Sequence, residues 1–128
     1  MSLLNNDSNK DETLAAVRTF SVNVVAQSNL ILHSGSWTAA EIEVLACRVE
    51  HLLGTMGHIR RLWPIPERKP LTPFDALENR PAHVLLIALN KLNALVDYLD
   101  YPEDVSMELL DEICHITMHI VETADMMY

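Results

Sequence analysis

The sequence predicts an all-α fold, either a four-helix bundle or a bundle-like helical array. Hydrophobic residues make up 49% of the 128 residues and only 3 are glycine, a composition typical of a compact helical protein. Several segments place apolar residues at the three- and four-residue spacing of an amphipathic helix. The length suits one domain. We expect residues 1–10 to form a mobile polar tail and residues 11–128 a single helical domain.

The first helix is predicted from about residue 11 to residue 33. Its inner part, residues 19–25, also alternates like a β-strand and is rich in β-branched side chains, so both helix and strand remain open there. The helical stripe contains two serines among its apolar residues. It consists of Leu14, Val17, Ser21, Val24, Val25, Ser28 and Leu32.

The second helix has the clearest start signal. Thr38 and Glu41 match a capping box, in which each side chain accepts a hydrogen bond from the other residue's backbone N–H. The apolar spacing then continues to about Leu62. Glycine is a poor helix former, so we expect a bend near Gly54 and Gly57.

A proline-rich crossover is predicted between helices 2 and 3. Residues 63–73, WPIPERKPLTP, contain four prolines, which prevent a helix and favour an extended chain. A short helix restarts at Pro73, and Pro81 either starts the third helix or kinks the same one. Ser106 or Asp104 is expected to cap helix 4, which then runs to the C-terminus.

The segment CHITMH in helix 4 contains two histidines one turn apart. His115 and His119, flanked by Glu112 and Glu122, are of the residue types that bind zinc or iron in helical bundles. A helix turns about 100° per residue, however, which places both histidines opposite the apolar face centred on Ile113. We therefore interpret the pair as part of a solvated face and predict no metal or cofactor. The alternative is a metal-binding helical bundle or an enzyme that uses this pair and the two glutamates.

No catalytic residue is predicted. Three glycines cannot form a phosphate-binding loop, and Cys47 and Cys114 lie at the edges of apolar helix faces, where cysteine usually serves as a small hydrophobe. Two cysteines are too few for a disulfide framework, and the N-terminus lacks the pattern of a signal peptide. The purely apolar runs are shorter than the roughly 20 residues of a membrane span. We expect a cytoplasmic protein with no membrane partner.

The charge balance argues against nucleic-acid binding. The formal net charge is −9, whereas affinity for nucleic acid depends largely on neutralising phosphates. Four basic residues nevertheless form a predicted basic corner, which leaves a nucleic-acid-associated regulator as a further alternative. They are Arg60, Arg61, Arg68 and Lys69.

Several apolar residues lie away from the main helix faces, and surplus apolar surface usually marks an interface. The interface candidates are Leu30, Ile31, Leu86, Ile87, Met126 and Met127. A two-fold homodimer is the commonest way to cover such residues. The alternative is a less regular helical array that buries more sides of helix 3. We therefore predict a small non-enzymatic protein that acts through protein–protein interaction. It would be a homodimeric regulator of adaptor, inhibitor or anti-activator type, with itself and another protein as partners.

Overall fold

The computed structural model describes residues 3–63 and 73–127. Within these ranges the chain forms five α-helices and two short 3₁₀ helices, with no β-strand, so the all-α prediction is confirmed. The α-helices are α1 (Leu3–Ser34), α2 (Ala39–Leu53), α3 (Met56–Leu62), α4 (Pro73–Val96) and α5 (Met107–Met126). The 3₁₀ helices, Asp97–Asp100 and Pro102–Asp104, connect α4 to α5.

The four long helices are α1, α2, α4 and α5, and each packs mainly against two of the others. Helix α1 packs against α5 and α2, and α4 packs against the same two helices, while the short α3 contacts α1 and α4. The side chains between them form one apolar core, with aliphatic residues contributed by every long helix. Its fully buried members include Leu14, Ile31, Ile42, Leu45, Leu52, Leu85, Leu89, Leu92, Leu110, Ile113 and Ile120.

Two side-chain contacts show that α1 and α5 run antiparallel. Arg18 Nε lies 2.9 Å from Asp125 Oδ1, and Cys114 Sγ lies 3.5 Å from Asn29 Oδ1. Asn29 follows Arg18 by 11 residues in α1, and Cys114 precedes Asp125 by 11 residues in α5. The two contacts therefore share one register.

Helices α1 and α2 are antiparallel by the same reasoning. Arg48 Nη1 donates to the backbone oxygen of Asn23 at 3.3 Å, and the rings of Phe20 and His51 lie 6.1 Å apart. Asn23 follows Phe20 by three residues in α1, and Arg48 precedes His51 by three residues in α2. These registers fix which residues of α2 and α5 lie beside each turn of α1.

The capping box at the start of α2 is confirmed. The backbone N–H of Glu41 donates to Thr38 Oγ1 at 3.2 Å, and the backbone N–H of Thr38 donates to Glu41 Oε1 at 3.2 Å. The predicted second helix is interrupted at Gly54 and Thr55, where α2 ends and α3 begins. Of the two proposed caps for the last helix, Ser106 is the one used, because its hydroxyl accepts from the N–H of Leu109 at 3.1 Å.

Residues 19–25 are helical, so the strand alternative is wrong. Contacts along α1 with both α5 and α2 favour the helix over the local β propensity. The helix begins at Leu3, and Lys10 Nζ lies 5.5 Å from the ring centroid of Trp63. Residues 3–10 are thus helical where a polar tail was expected, and their mobility stays a prediction.

Helix α4 begins at Pro73, as the sequence predicts, and continues through Pro81 without a break in the helix assignment. Of the alternatives for Pro81, a position inside one helix is therefore the correct one. The proline-rich crossover over residues 63–73 falls almost entirely on residues 64–72, which lie outside the described residues. The crossover stays a prediction.

Two of the interface candidates lie in the core, which corrects the sequence analysis. Leu86 is 3% exposed, because α4 packs on both α5 and α2 and so buries a wider arc than one stripe. Ile31 is fully buried, because Val17, Val24 and Ile31 follow one another at intervals of two helical turns and so lie on the same buried side of α1. For Leu86, the alternative of an array that buries more sides of the predicted third helix, which is α4, is the better description.

The two core serines of α1 differ in hydrogen bonding. Ser28 Oγ donates to the backbone oxygen of Val24 at 2.9 Å, whereas the buried Ser21 Oγ has no partner among the described residues. A buried, unpaired polar group costs about 1–3 kcal/mol. We expect Ser21→Ala to raise the free energy of unfolding, measured in urea, by about 1 kcal/mol.

Ser28→Ala is the matched control for this prediction. Both substitutions increase helix propensity equally, but only Ser28→Ala removes a hydrogen bond, so it should stabilise the protein less. A Ser21→Ala protein no more stable than Ser28→Ala would contradict the expectation.

Candidate interaction surfaces

An open groove of about 410 Å³ lies between α4 and α5. Its lining combines residues that the sequence analysis treated separately, namely the apolar candidate Ile87 and the histidine pair. The lining residues are Val84, Ile87, Ala88 and Lys91 from α4, and His115, Ile116 and His119 from α5. The pairing of the two helices creates this surface, and no segment of sequence contains it alone.

The groove has an apolar floor and a basic rim. Val84 and Ile116 are half-buried, and Ala88 is buried. Ile87 is 46% exposed and can contact a bound molecule directly. Lys91, on the same side of α4 one turn further on, supplies a fixed positive charge.

The hydrogen bonding of His115 fixes where its proton lies when the ring is neutral. Nδ1 lies 2.9 Å from the backbone oxygen of Asp111, and 3.5 Å from its carboxylate oxygen Oδ1. Because a carbonyl oxygen only accepts, Nδ1 must carry the proton, and Nε2 is the acceptor in the neutral ring. In a protonated ring Nε2 would be a donor, so this nitrogen can accept from a donor or donate to an acceptor, according to the protonation of the ring.

The alternative of a metal site at the histidine pair has two potential ligands on the surface of α5. His115 and His119 are both exposed, as the helical periodicity predicts. Zinc in proteins usually takes four ligands, and Glu112 and Glu122 are exposed on the same helix. Across residues 3–63 and 73–127, no group of three or more His, Cys, Asp or Glu side chains is placed to hold a metal ion.

A second surface lies on the outer side of α1. From Thr19 to Ala40 the sequence contains no Lys, Arg, Asp or Glu, although the outward side of a surface helix is normally charged or polar. Leu30 is 64% exposed and Val22 45% exposed. We define the α1 outer face by its exposed residues Ala15, Thr19, Val22, Ala26 and Leu30.

Met118 extends this face onto α5. It follows Cys114 by one helical turn, and Cys114 contacts Asn29 of α1. The antiparallel register therefore places Met118 beside Val25, next to Val22. Met118 is 46% exposed, so its side chain adds apolar surface at this edge.

Val44 extends the α1 outer face onto α2. It precedes Arg48 by one turn, and Arg48 contacts Asn23 of α1. The register places Val44 beside Gln27, between the levels of Asn23 and Leu30. Val44 is also exposed, so apolar side chains from three helices lie along this face.

The two C-terminal candidates lie at a third place. Met126 is exposed and Met127 half-buried, and both line an open hollow that shares no residue with the groove. The other residues of this hollow are Lys10, Asp11, Leu14, Trp63 and Pro81. The structure thus divides the exposed interface candidates among three surfaces.

Only half of the predicted basic corner lies in the described part of the chain. Arg60 and Arg61 are exposed on α3, and Arg61 Nη2 lies 3.0 Å from His58 Nδ1. Arg68 and Lys69 lie outside the described residues. The corner as a unit stays a prediction.

The stretch Arg80–Asp100 is long and apolar enough to cross a membrane, by length and composition only. Its Leu85, Leu89 and Leu92 are fully buried in the core. The core helix of a soluble protein has the same properties, so the observation is weak evidence for a membrane span.

The two cysteines differ in accessibility, and we expect them to differ in thiol reactivity. Cys47 is exposed, whereas Cys114 is 5% exposed and contacts Asn29. With a thiol reagent in native buffer, one cysteine should react quickly and the other only as the fold opens. Cys47→Ser should remove the fast phase. Equal rates for both thiols in the wild type would contradict this assignment.

Comparisons with protein-family models, curated proteins and solved structures found no match for this chain. Its function must therefore be argued from its surfaces. Two of them, the groove and the α1 outer face, expose large apolar side chains beside a well-formed core.

Proposed function

We propose that this chain is a small non-enzymatic protein that acts through protein–protein interaction. In this proposal it is a cytoplasmic, homodimeric regulator of adaptor, inhibitor or anti-activator type. The four long helices form a four-helix bundle, and the proline-rich segment is the crossover between α3 and α4. Contacts of each long helix with two of the others support the bundle.

The uncharged α1 outer face is the observation that carries the homodimer. Each copy has a net charge of −9, so two copies repel each other over most of their surfaces. Val22, Ala26 and Leu30 themselves carry no charge, and burying a charge is the costliest part of forming an interface. The gain from covering Val22 and Leu30 is therefore not offset by charge desolvation.

A two-fold antiparallel pairing of α1 with its copy suits the order of residues on this face. With Ala26 at the centre, Val22 of one copy lies level with Leu30 of the other, since both are four residues away. Alanine at the crossing allows the close approach of two packed helices. The face from Ala15 to Leu30 is about 23 Å long, and Met118 and Val44 widen it.

A charge introduced on this face tests the dimer. We expect wild-type protein to have the mass of a dimer in native mass spectrometry and light scattering. Leu30→Glu should give monomers, because two buried glutamates would face an apolar surface without partners. Leu30 is exposed, so the helical circular-dichroism signal should stay unchanged.

Met126→Glu is the matched control, because Met126 is similarly exposed on another surface. It should leave the dimer mass unchanged. A monomeric wild type at all concentrations would refute the homodimer. A dimer that survives Leu30→Glu but is lost in Met126→Glu would place the contact elsewhere.

A further inference from the structure

The described residues that line the groove between α4 and α5 include no acidic side chain, although the chain is strongly acidic. The sequence contains 18 Asp and Glu against 9 Lys and Arg, yet the only titratable side chains that line the groove are Lys91, His115 and His119. The described exposed part of α4 continues this pattern. From Arg80 to Val96 its charged side chains are Arg80 and Lys91, and His83 is exposed between them.

The acidic residues of α5 lie around the groove but do not line it. Asp111 Oδ1 lies 3.5 Å from His115 Nδ1. Glu112 is exposed one turn before His115, and Glu122 is exposed one turn after His119. The wall formed by α4 therefore carries the positive charge of Lys91, and the floor of the groove is apolar. The opposite rim carries two imidazoles, with Glu112 and Glu122 one turn to either side.

We infer that this groove binds an amphipathic helix of a partner protein, one that has an apolar edge and an acidic edge. The inference rests on the proposed function as an interaction protein and names the partner's chemistry. The apolar edge would cover Ile87 and Ile116, and the carboxylates would approach Lys91.

The shape and the charge of the groove both favour this occupant. Two neighbouring helices leave a channel in which a third helix can pack, and helix-in-groove binding uses apolar anchors on successive turns. Lys91 gives the channel a charge opposite to that of the protein as a whole, and complementary charge selects partners and their orientation. A second copy of this chain is a less suitable occupant, because its net charge of −9 adds repulsion outside the groove.

The test uses the full-length protein with isotope-labelled isoleucine and valine methyl groups. The probe is a synthetic helical peptide with leucines along one edge and glutamates along the other. Its twin carries lysine at every glutamate position. We expect the glutamate peptide to shift the methyl signals of Val84, Ile87 and Ile116 and to bind about tenfold more tightly than the lysine peptide.

Two variants separate the apolar contribution from the charge contribution. Ile87→Ser should weaken binding of the glutamate peptide about tenfold, whereas Met126→Ser, at an exposed position outside the groove, should not. Lys91→Glu should abolish the preference for the glutamate peptide. Salt should weaken the glutamate peptide more than the lysine peptide, because screening reduces the attraction of the glutamates to Lys91 but the repulsion of the lysines from it.

The inference is overturned if the glutamate peptide leaves the groove methyl groups unshifted. Equal binding of the two peptides, or shifts confined to Val22 and Val44, would also overturn it. The same variants distinguish this failure from failure of the proposed dimer. Ile87→Ser should keep the dimer mass, and Leu30→Glu should keep peptide binding. A dimer without peptide binding removes only the groove inference.

Discussion

The antiparallel packing of α1 against α5 is the contact on which the other features of the structure depend. The Arg18–Asp125 ion pair at one end and the Cys114–Asn29 contact further along show its register. Both helices then present their remaining inner sides to α2 and α4, and these complete the core. Because α5 also packs against α4, the same arrangement forms the groove. Because α1 packs mainly against α5 and α2, the residues of its outer face remain exposed.

Burial on α4 and α1 shows how neighbours, and not a single stripe, decide which apolar residues are exposed. Leu86 and Ile87 are adjacent in the sequence and equally apolar. The first is turned into the core, and the second lies at the rim of the groove. Leu30 and Ile31 divide in the same way, with Ile31 inside and Leu30 outside. In each pair the step of about 100° between successive residues crosses the edge of the contact with a neighbouring helix.

This difference also explains how far the sequence could predict the structure. The capping box at Thr38, the cap at Ser106 and the exposure of His115 depend on interactions within one or two turns, so local patterns predict them. The width of the buried arc on α4 depends on helices distant in sequence, and no local pattern contains it. For the same reason, Ile87 and His119 could each be identified as candidates from the sequence, but the sequence could not predict that both line one groove. The charge-free stretch of α1 was visible in the sequence. Its significance depended on knowing which of its residues face outward.

The α1 outer face and the groove share no residue and differ in charge, so they suit different partners. An uncharged, self-complementary face favours a second copy of an acidic protein, whereas a basic rim selects an acidic helix. A two-fold dimer through α1 would therefore carry two equivalent grooves. Binding of a partner with two acidic helices would then become intramolecular after the first contact, and its strength would depend on the length of the segment that joins them. In this arrangement the dimer has a function of its own, because it allows two grooves of modest affinity to bind one partner firmly.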